Sequence, residues 1–142
     1  MIATRVQAAP FDAAAETAAL TQGRGDTGAL VSFTGLVRGE PGTALTLEHY
    51  PGMTETALAD IAAEAAGRWA VGGTVIHRYG TLAVGEAIVL VAVASSHRGD
   101  AFRACEFLID WLKTRAPFWK RETDGRWVDA RGSDDRAAAR WA

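Results

Sequence analysis

The stretch Glu86–Phe102, EAIVLVAVASSHRGDAF, reads as a strand, a corner and the first turn of a helix. From Ala87 to Ala94 every residue is apolar, where a half-buried strand would alternate. A continuous apolar run of this length predicts a central strand covered on both faces. Ser95 and Ser96 end the run. The apolar spacing then changes: Phe102, Cys105, Leu108, Ile109 and Leu112 recur at helical intervals, predicting a helix from about Asp100 to Arg115. Pro117 stops it, because proline disfavours a helical conformation at the residue before it. A central strand feeding directly into an amphipathic helix implies a sheet with helices packed on it.

The flanking sequence fits that frame. Asp12 can cap a helix over Ala13 to Thr21. GALVSFTGLVR is β-branched and apolar and predicts a strand ending at Arg38, followed by the turn GEPGT. ALTLEHY alternates like a half-buried strand, and GTVIHRYG predicts another. TETALADIAAEAAGRW places Leu58, Ile61, Ala62, Ala65 and Trp69 on one helical face. FWKRET and RWVDA predict two short strands joined through Asp124-Gly125, a hairpin signal. DDRAAARW predicts a short helix near the end. The expected class is α+β, with a mixed or antiparallel sheet in one domain over residues 1–142.

Composition narrows the function. The chain has 142 residues, 49% of them hydrophobic, and a formal net charge of -2. It is long enough for one real core, and its slight acidity argues against a dedicated nucleic-acid binder. The start, MIATRVQAAPF, lacks a basic flank leading into an apolar block, so no signal peptide is expected. No apolar run is long enough for a membrane span. The single cysteine, Cys105, suits a reducing cytoplasm. The histidines His49, His77 and His97 lack metal-ligand spacing, so no metal or other cofactor is expected.

Against that acidity, LKTRAPFWKRE (Leu112–Glu122) gathers Lys113, Arg115, Lys120 and Arg121 around one proline. Lys113 falls at the edge of the helical stripe, which places it beside Phe102 at the lip of a pocket. Lys120 lies past the proline turn on a segment that can fold back alongside. Two lysines brought together lower each other's pKa toward the range useful in catalysis. The ordinary structural reading instead pairs Lys113 with Asp110, for about 0.2–0.5 kcal/mol, and spacing alone favours it. SSHRGDAF offers His97 and Arg98 at a helix N-terminus, where an anion is favoured. The plainer reading, Asp100 as the cap, is stronger on this segment alone. Arg38 is as readily an anion clamp as a solvated strand end. Cys105 lies within the helical stripe and reads as core. His49 and His77 read as packing or hydrogen-bonding residues.

FTGLVRG, LTLEHYPGM, VIHRYGTLAVGE, SSHRGDAF and LKTRAPFWKRE together, in this order, resemble the catalytic (large) subunit family of molybdopterin synthase. The resemblance runs from about Gly28 to Trp141 and includes RWVDAR and AAARW. It implies an α/β-hammerhead-type fold with a small antiparallel subdomain. It also implies a homodimer within a heterotetramer, with a small ubiquitin-like subunit at each end whose C-terminal thiocarboxylate donates sulfur. The implied substrate is cyclic pyranopterin monophosphate and the implied product molybdopterin, made in the cytoplasm. By resemblance, Lys113 and Lys120 are the active-site lysines and His97 and Arg98 hold the substrate's phosphate. Leu36, Val37 and Arg38 form one substrate segment; Lys120, Arg121 and Glu122 form another. Leu36 stands where relatives can carry a longer polar side chain, so only its backbone can serve a polar group. Arg38 of one chain is expected to serve the pocket holding Lys113 of the other. The competing readings are a non-catalytic scaffold for a ubiquitin-like partner and a small nucleic-acid module in which Phe118 and Trp119 stack bases.

Overall fold

Strand β6 (Ala87–Ser95) is hydrogen-bonded on both sides, antiparallel to β4 (Val71–Arg78) and to β2 (Ala29–Leu36). Strand β1 (Ile2–Gln7) pairs parallel to β4, giving a mixed sheet in the order β1-β4-β6-β2. In this computed structural model the described residues are 1–122, 127–128 and 132–141. Both faces of the sheet are covered, as the unbroken apolar run required. Val89, Val91 and Val93 face helices α2 (Met53–Arg68) and α3 (Arg98–Arg115), in a core with Leu58, Ile61, Phe107 and Leu108. Leu90 and Ala92 face the other way, toward Phe11, Ala13 and Leu20 at α1 (Ala13–Thr21). The strand period of two sorts one apolar run into two cores.

A second, antiparallel sheet takes the order β5-β3-β7-β8, from β3 (Ala44–His49), β5 (Gly80–Ala83), β7 (Phe118–Glu122) and β8 (Trp127–Val128). Val37, Leu47, Leu82 and Ile88 form its core against Phe118. Phe118 also packs on the main core, so this one residue joins the two sheets just after the Pro117 turn. The Asp124-Gly125 hairpin signal lies outside the described residues. Helix α4 (Gly132–Ala139) closes the chain. Among the described residues no helix is long and apolar enough to cross a membrane.

The structure departs from the sequence expectations in four places. Strands β1 and β5 were not expected: β1 buries only Ile2 fully, with Val6 partly buried against the core, and β5 is four residues long. The β2 strand ends at Leu36, two residues before Arg38. The buried face of α3 is Ala101, Ala104, Cys105, Phe107, Leu108 and Leu112, whereas Phe102 is 60% exposed. Phe102 is also three turns from Lys113 and does not stand beside it. Asp100 does not cap α3; His97 holds the N-cap position, and Asp100 instead pairs with Arg103 at 3.6 Å.

Candidate active site

The joint between the sheets assembles the lysines. Helix α3 runs back along β6, with Cys105 Sγ 3.8 Å from the Val91 carbonyl, and so delivers Lys113 to the end where β6 begins. Pro117 then turns the chain, and β7 runs antiparallel to β3 with Phe118 opposite His49 and Lys120 opposite Leu47. Residues two apart on a strand share a face, so Lys120 lies on the side of Phe118. Phe118 in turn packs on His77. Its ring stacks on Phe118 at 3.7 Å and 16°, and it is only 7% exposed. Its Nδ1 lies 2.8 Å from the Arg78 carbonyl, which fixes the proton on that nitrogen. His49 closes the group, 5.9 Å from Phe118 and 4.6 Å from Tyr79.

The imidazole reports the field around it. Burial pushes the His77 pKa down from 6.5 to about 3, opposed by its backbone hydrogen bond, with Lys113, Lys120 and His49 lowering it further. His77 is therefore neutral at physiological pH, and both lysines bear on the same buried ring. An unfolded chain takes up a proton here below pH of about 6.5 while the folded one does not until about 3, so stability falls as pH drops through that window. The expected loss from this residue is on the order of 3 kcal/mol by pH 4. Urea unfolding at pH 7 and pH 4 measures it; His77→Gln, which keeps a donor but does not titrate, should flatten the dependence.

The other expected residues divide between two ends of the molecule. A bulge at Gly35–Leu36 re-aims the end of β2; a Cβ on Gly35 would come within 2.6 Å of Val89 Cγ1. Val37 then turns inward, 4% exposed, with its N–H donating to Glu86 and its carbonyl accepting from Gly85. Val37 is thus a fixed post, its N–H and its carbonyl each already hydrogen-bonded. Leu36 and Arg38 on either side are exposed. Because Leu36 pairs with Ala87 at the start of β6 and Val37 packs in Phe118's cluster, Arg38 stands at the lysine end of its own chain.

His97 and Arg98 lie at the opposite end. Both are exposed. Arg98 opens α3 and Lys113 lies in its last turn, about 22 Å along the axis at 1.5 Å per residue. One chain does not bring these residues into one pocket. Arg121 is on the other side of β7 from Lys120, and its guanidinium is 3.3 Å from Glu48. On that side an open cleft of about 570 Å³ is lined by Glu48, His49, Tyr50 and Trp119, with Tyr50 edge-on to Trp119 at 4.2 Å. Glu122 pairs with Leu45 in register. Asp110, the ordinary partner for Lys113, accepts at Oδ2 from Arg140 and Trp141. Cys105 is buried and burial raises its thiol pKa to about 11, so it is not a ready nucleophile. Among the described residues no cluster of three or more acidic, histidine or cysteine side chains can hold a metal. Sequence reasoning missed His77, the buried imidazole whose pKa both lysines lower, since nothing local connects β4 to Lys113.

An α+β scaffold of this kind recurs in proteins of molybdenum-cofactor biosynthesis. A solved MoaE protein from Burkholderia ambifaria superposes with a TM-score of 0.88 at 54% identity, covering 99% of this chain and 98% of that one. The molybdopterin synthase catalytic subunit of Mesorhizobium japonicum is 57% identical over 96% of this chain and 91% of its own length. The fold also matches a chain in a complex of subunits 1 and 2 of molybdopterin-converting factor from Helicobacter pylori, with a TM-score of 0.68 at 22% identity and coverage of 92% and 90%. The family model described as MoaE protein matches residues 6–115. The chain belongs to the MoaE family, the catalytic subunits of molybdopterin synthase, enzymes of molybdenum cofactor biosynthesis.

Proposed function

We propose that this chain transfers sulfur from the C-terminal thiocarboxylate of a small ubiquitin-like subunit to cyclic pyranopterin monophosphate, building the dithiolene of molybdopterin in the cytoplasm. What carries this reading is that α3 and β7, joined at the Pro117 turn, bring Lys113 and Lys120 to one end of the chain, near enough for both to lower the pKa of the buried His77. The donor tail and the substrate's phosphate are both anions. A chain of net charge -2 meets them by concentrating cations where the chemistry occurs. Lys113 polarises the tail carbonyl and stabilises charge as sulfur leaves. Lys120 moves a proton at the pterin side chain. Arg38, at the same end, clamps an anionic group of the substrate, and exposed Leu36 adds apolar contact beside it. Arg121 and Glu122 continue the substrate segment along β7.

His97 and Arg98 hold the phosphate, and they do so from a second copy. β2 is an edge of the main sheet, and it leaves Leu30, Phe33 and Leu36 exposed at 42%, 37% and 59%. An apolar edge of this kind calls for a partner. Twofold pairing along it sets the Ala29 end of one strand beside the Leu36 end of the other. The His97–Arg98 end of one copy then faces the Arg38–Lys113 end of its mate. A homodimer with a small subunit docked at each lysine end gives the heterotetramer.

The test is the purified chain mixed with thiocarboxylated small subunit and precursor, assayed for dithiolene product. Product formation is expected. Tight subunit binding without product would replace the enzymatic reading with the scaffold. The sulfur is the partner's, so Cys105→Ala should keep full transfer activity. The cavity should cost on the order of 1 kcal/mol in a denaturation measurement. Abolished transfer in a folded Cys105→Ala variant would overturn the donor assignment.

A further inference from the structure

His49 ends β3, opposite Phe118 in the register, while Lys120 stands opposite Leu47. His49 and Lys120 are therefore diagonal neighbours on one face of the sheet, about 7–8 Å apart at the backbone. Among the described residues the His49 ring makes one hydrogen bond, between Nδ1 and Thr54 Oγ1 at 3.1 Å. Thr54 fixes its direction. The hydroxyl proton goes to the Tyr50 carbonyl at 2.9 Å, so Oγ1 offers only lone pairs and the imidazole Nδ1 carries the proton. In the neutral ring Nε2 is then the acceptor. The two nitrogens lie on opposite edges of the ring. Nδ1 points into the protein at a hydroxyl that is fully buried, and the half-buried ring lines the cleft with Glu48, Tyr50 and Trp119. The Nε2 lone pair is thus on the cleft side.

Sulfur transfer leaves one proton without an acceptor. A tail that arrives as a thiocarboxylate and gives up its sulfur must leave with oxygen on that carbon, and water supplies the oxygen. Lys113 is placed there for charge and Lys120 for the pterin's proton. His77 is buried and resists charging, and Glu48 is engaged by Arg121 at 3.3 Å. We propose that His49 is a catalytic residue, the general base whose Nε2 takes a proton from the water that frees the spent tail, with Thr54 as its positioning residue. The inference rests on the proposed sulfur transfer. In this step the water oxygen bonds to the acyl carbon as one proton passes to Nε2. The carbon–sulfur bond breaks, and its electron pair leaves with the sulfur on the pterin. The imidazolium returns its proton to that sulfur, and the new carboxyl group loses its remaining proton to solvent. The Thr54 hydroxyl does for this ring what a carboxylate does for the histidine of a hydrolytic triad: it fixes the tautomer and the orientation.

The test uses the complete chain with thiocarboxylated small subunit and precursor. His49→Phe keeps a ring against Tyr79 and Phe118 and removes the base. It should lower kcat about 10²–10⁴-fold. KM for the precursor should stay within about twofold, and the small subunit should accumulate joined to the pterin through sulfur, as seen by intact-mass spectrometry. Wild-type kcat in the folded variant would overturn the proposal. So would a slow variant with no accumulated adduct, since the defect would then lie before the water step. Thr54→Val keeps the shape of the buried side chain and removes the acceptor. Imidazole nitrogen NMR should find the His49 proton on Nδ1 in the parent protein and on Nε2 in Thr54→Val. In that variant kcat should fall about tenfold or more, because a ring protonated at Nε2 cannot accept there. Thr54→Ser should restore both tautomer and rate. A parent protein with the proton on Nε2, or a Thr54→Val variant at full speed, rejects the assignment whatever the fate of His49→Phe. A parent protein that makes no dithiolene product removes the sulfur-transfer reading itself, whereas an active parent beside an equally active His49→Phe removes only the base.

Discussion

Lys113→Ala is expected to lose about 10²–10⁴-fold in sulfur transfer, the usual cost of deleting a positioned acid–base or electrostatic group, while the protein remains folded. Lys113 sits in the last turn of α3 and is only partly buried, so its stem supports little of the core. Small-subunit binding should change far less than turnover. A second readout follows from the charge itself. Lys113 is one of the groups that lower the His77 pKa, so its removal should raise that pKa, visible as an upward shift in the imidazole titration by NMR. Lost activity together with a raised His77 pKa places the defect in the local field. Wild-type turnover would return Lys113 to the role of an ordinary surface cation.

The central strand and its helix were legible because their signals are local. An apolar run with no alternation leaves little choice but a strand covered on both faces, and a proline must end the helix it follows. The orientation of α3 was harder. Reading the stripe from its largest apolar residue selected Phe102, but the face against the sheet is continued by Ala101 and Ala104. Small side chains allow the helix to sit close, and hydrophobic size is a poor guide to that. The β1 strand escaped because its stability comes from a parallel partner, β4, some 70 residues away. At the site, the sequence did hold one unused signal: adjacent strand residues point to opposite faces, so Lys120 and Arg121 were never going to share a pocket wall. That both lysines act on the buried His77 had no local signal at all, since it depends on β4, α3 and β7 arriving at one joint.

The proposed pairing of two chains along β2 predicts which residues they share. Arg98→Ala and Lys113→Ala homodimers should each be nearly inactive, yet a mixed dimer of the two should recover about half of wild-type activity. One of its sites then combines an intact Lys113 with an intact Arg98 from the mate, and the other carries both defects. The basis is the axial separation of about 22 Å between these residues on α3, too far for one substrate to bridge within a chain. Arg38→Ala mixed with Lys113→Ala should behave in the opposite way. Those two residues stand at the same end of one chain, so every site in the mixed dimer keeps one defect and no recovery appears. Isolating each mixed dimer with two different affinity tags and measuring product per dimer separates the cases. Recovery with Arg38 and none with Arg98 would reverse the assignment of ends and move the phosphate contact to the chain that carries the lysines. Recovery with neither would confine each pocket to a single chain and leave the exposed β2 edge with some other purpose than completing the site.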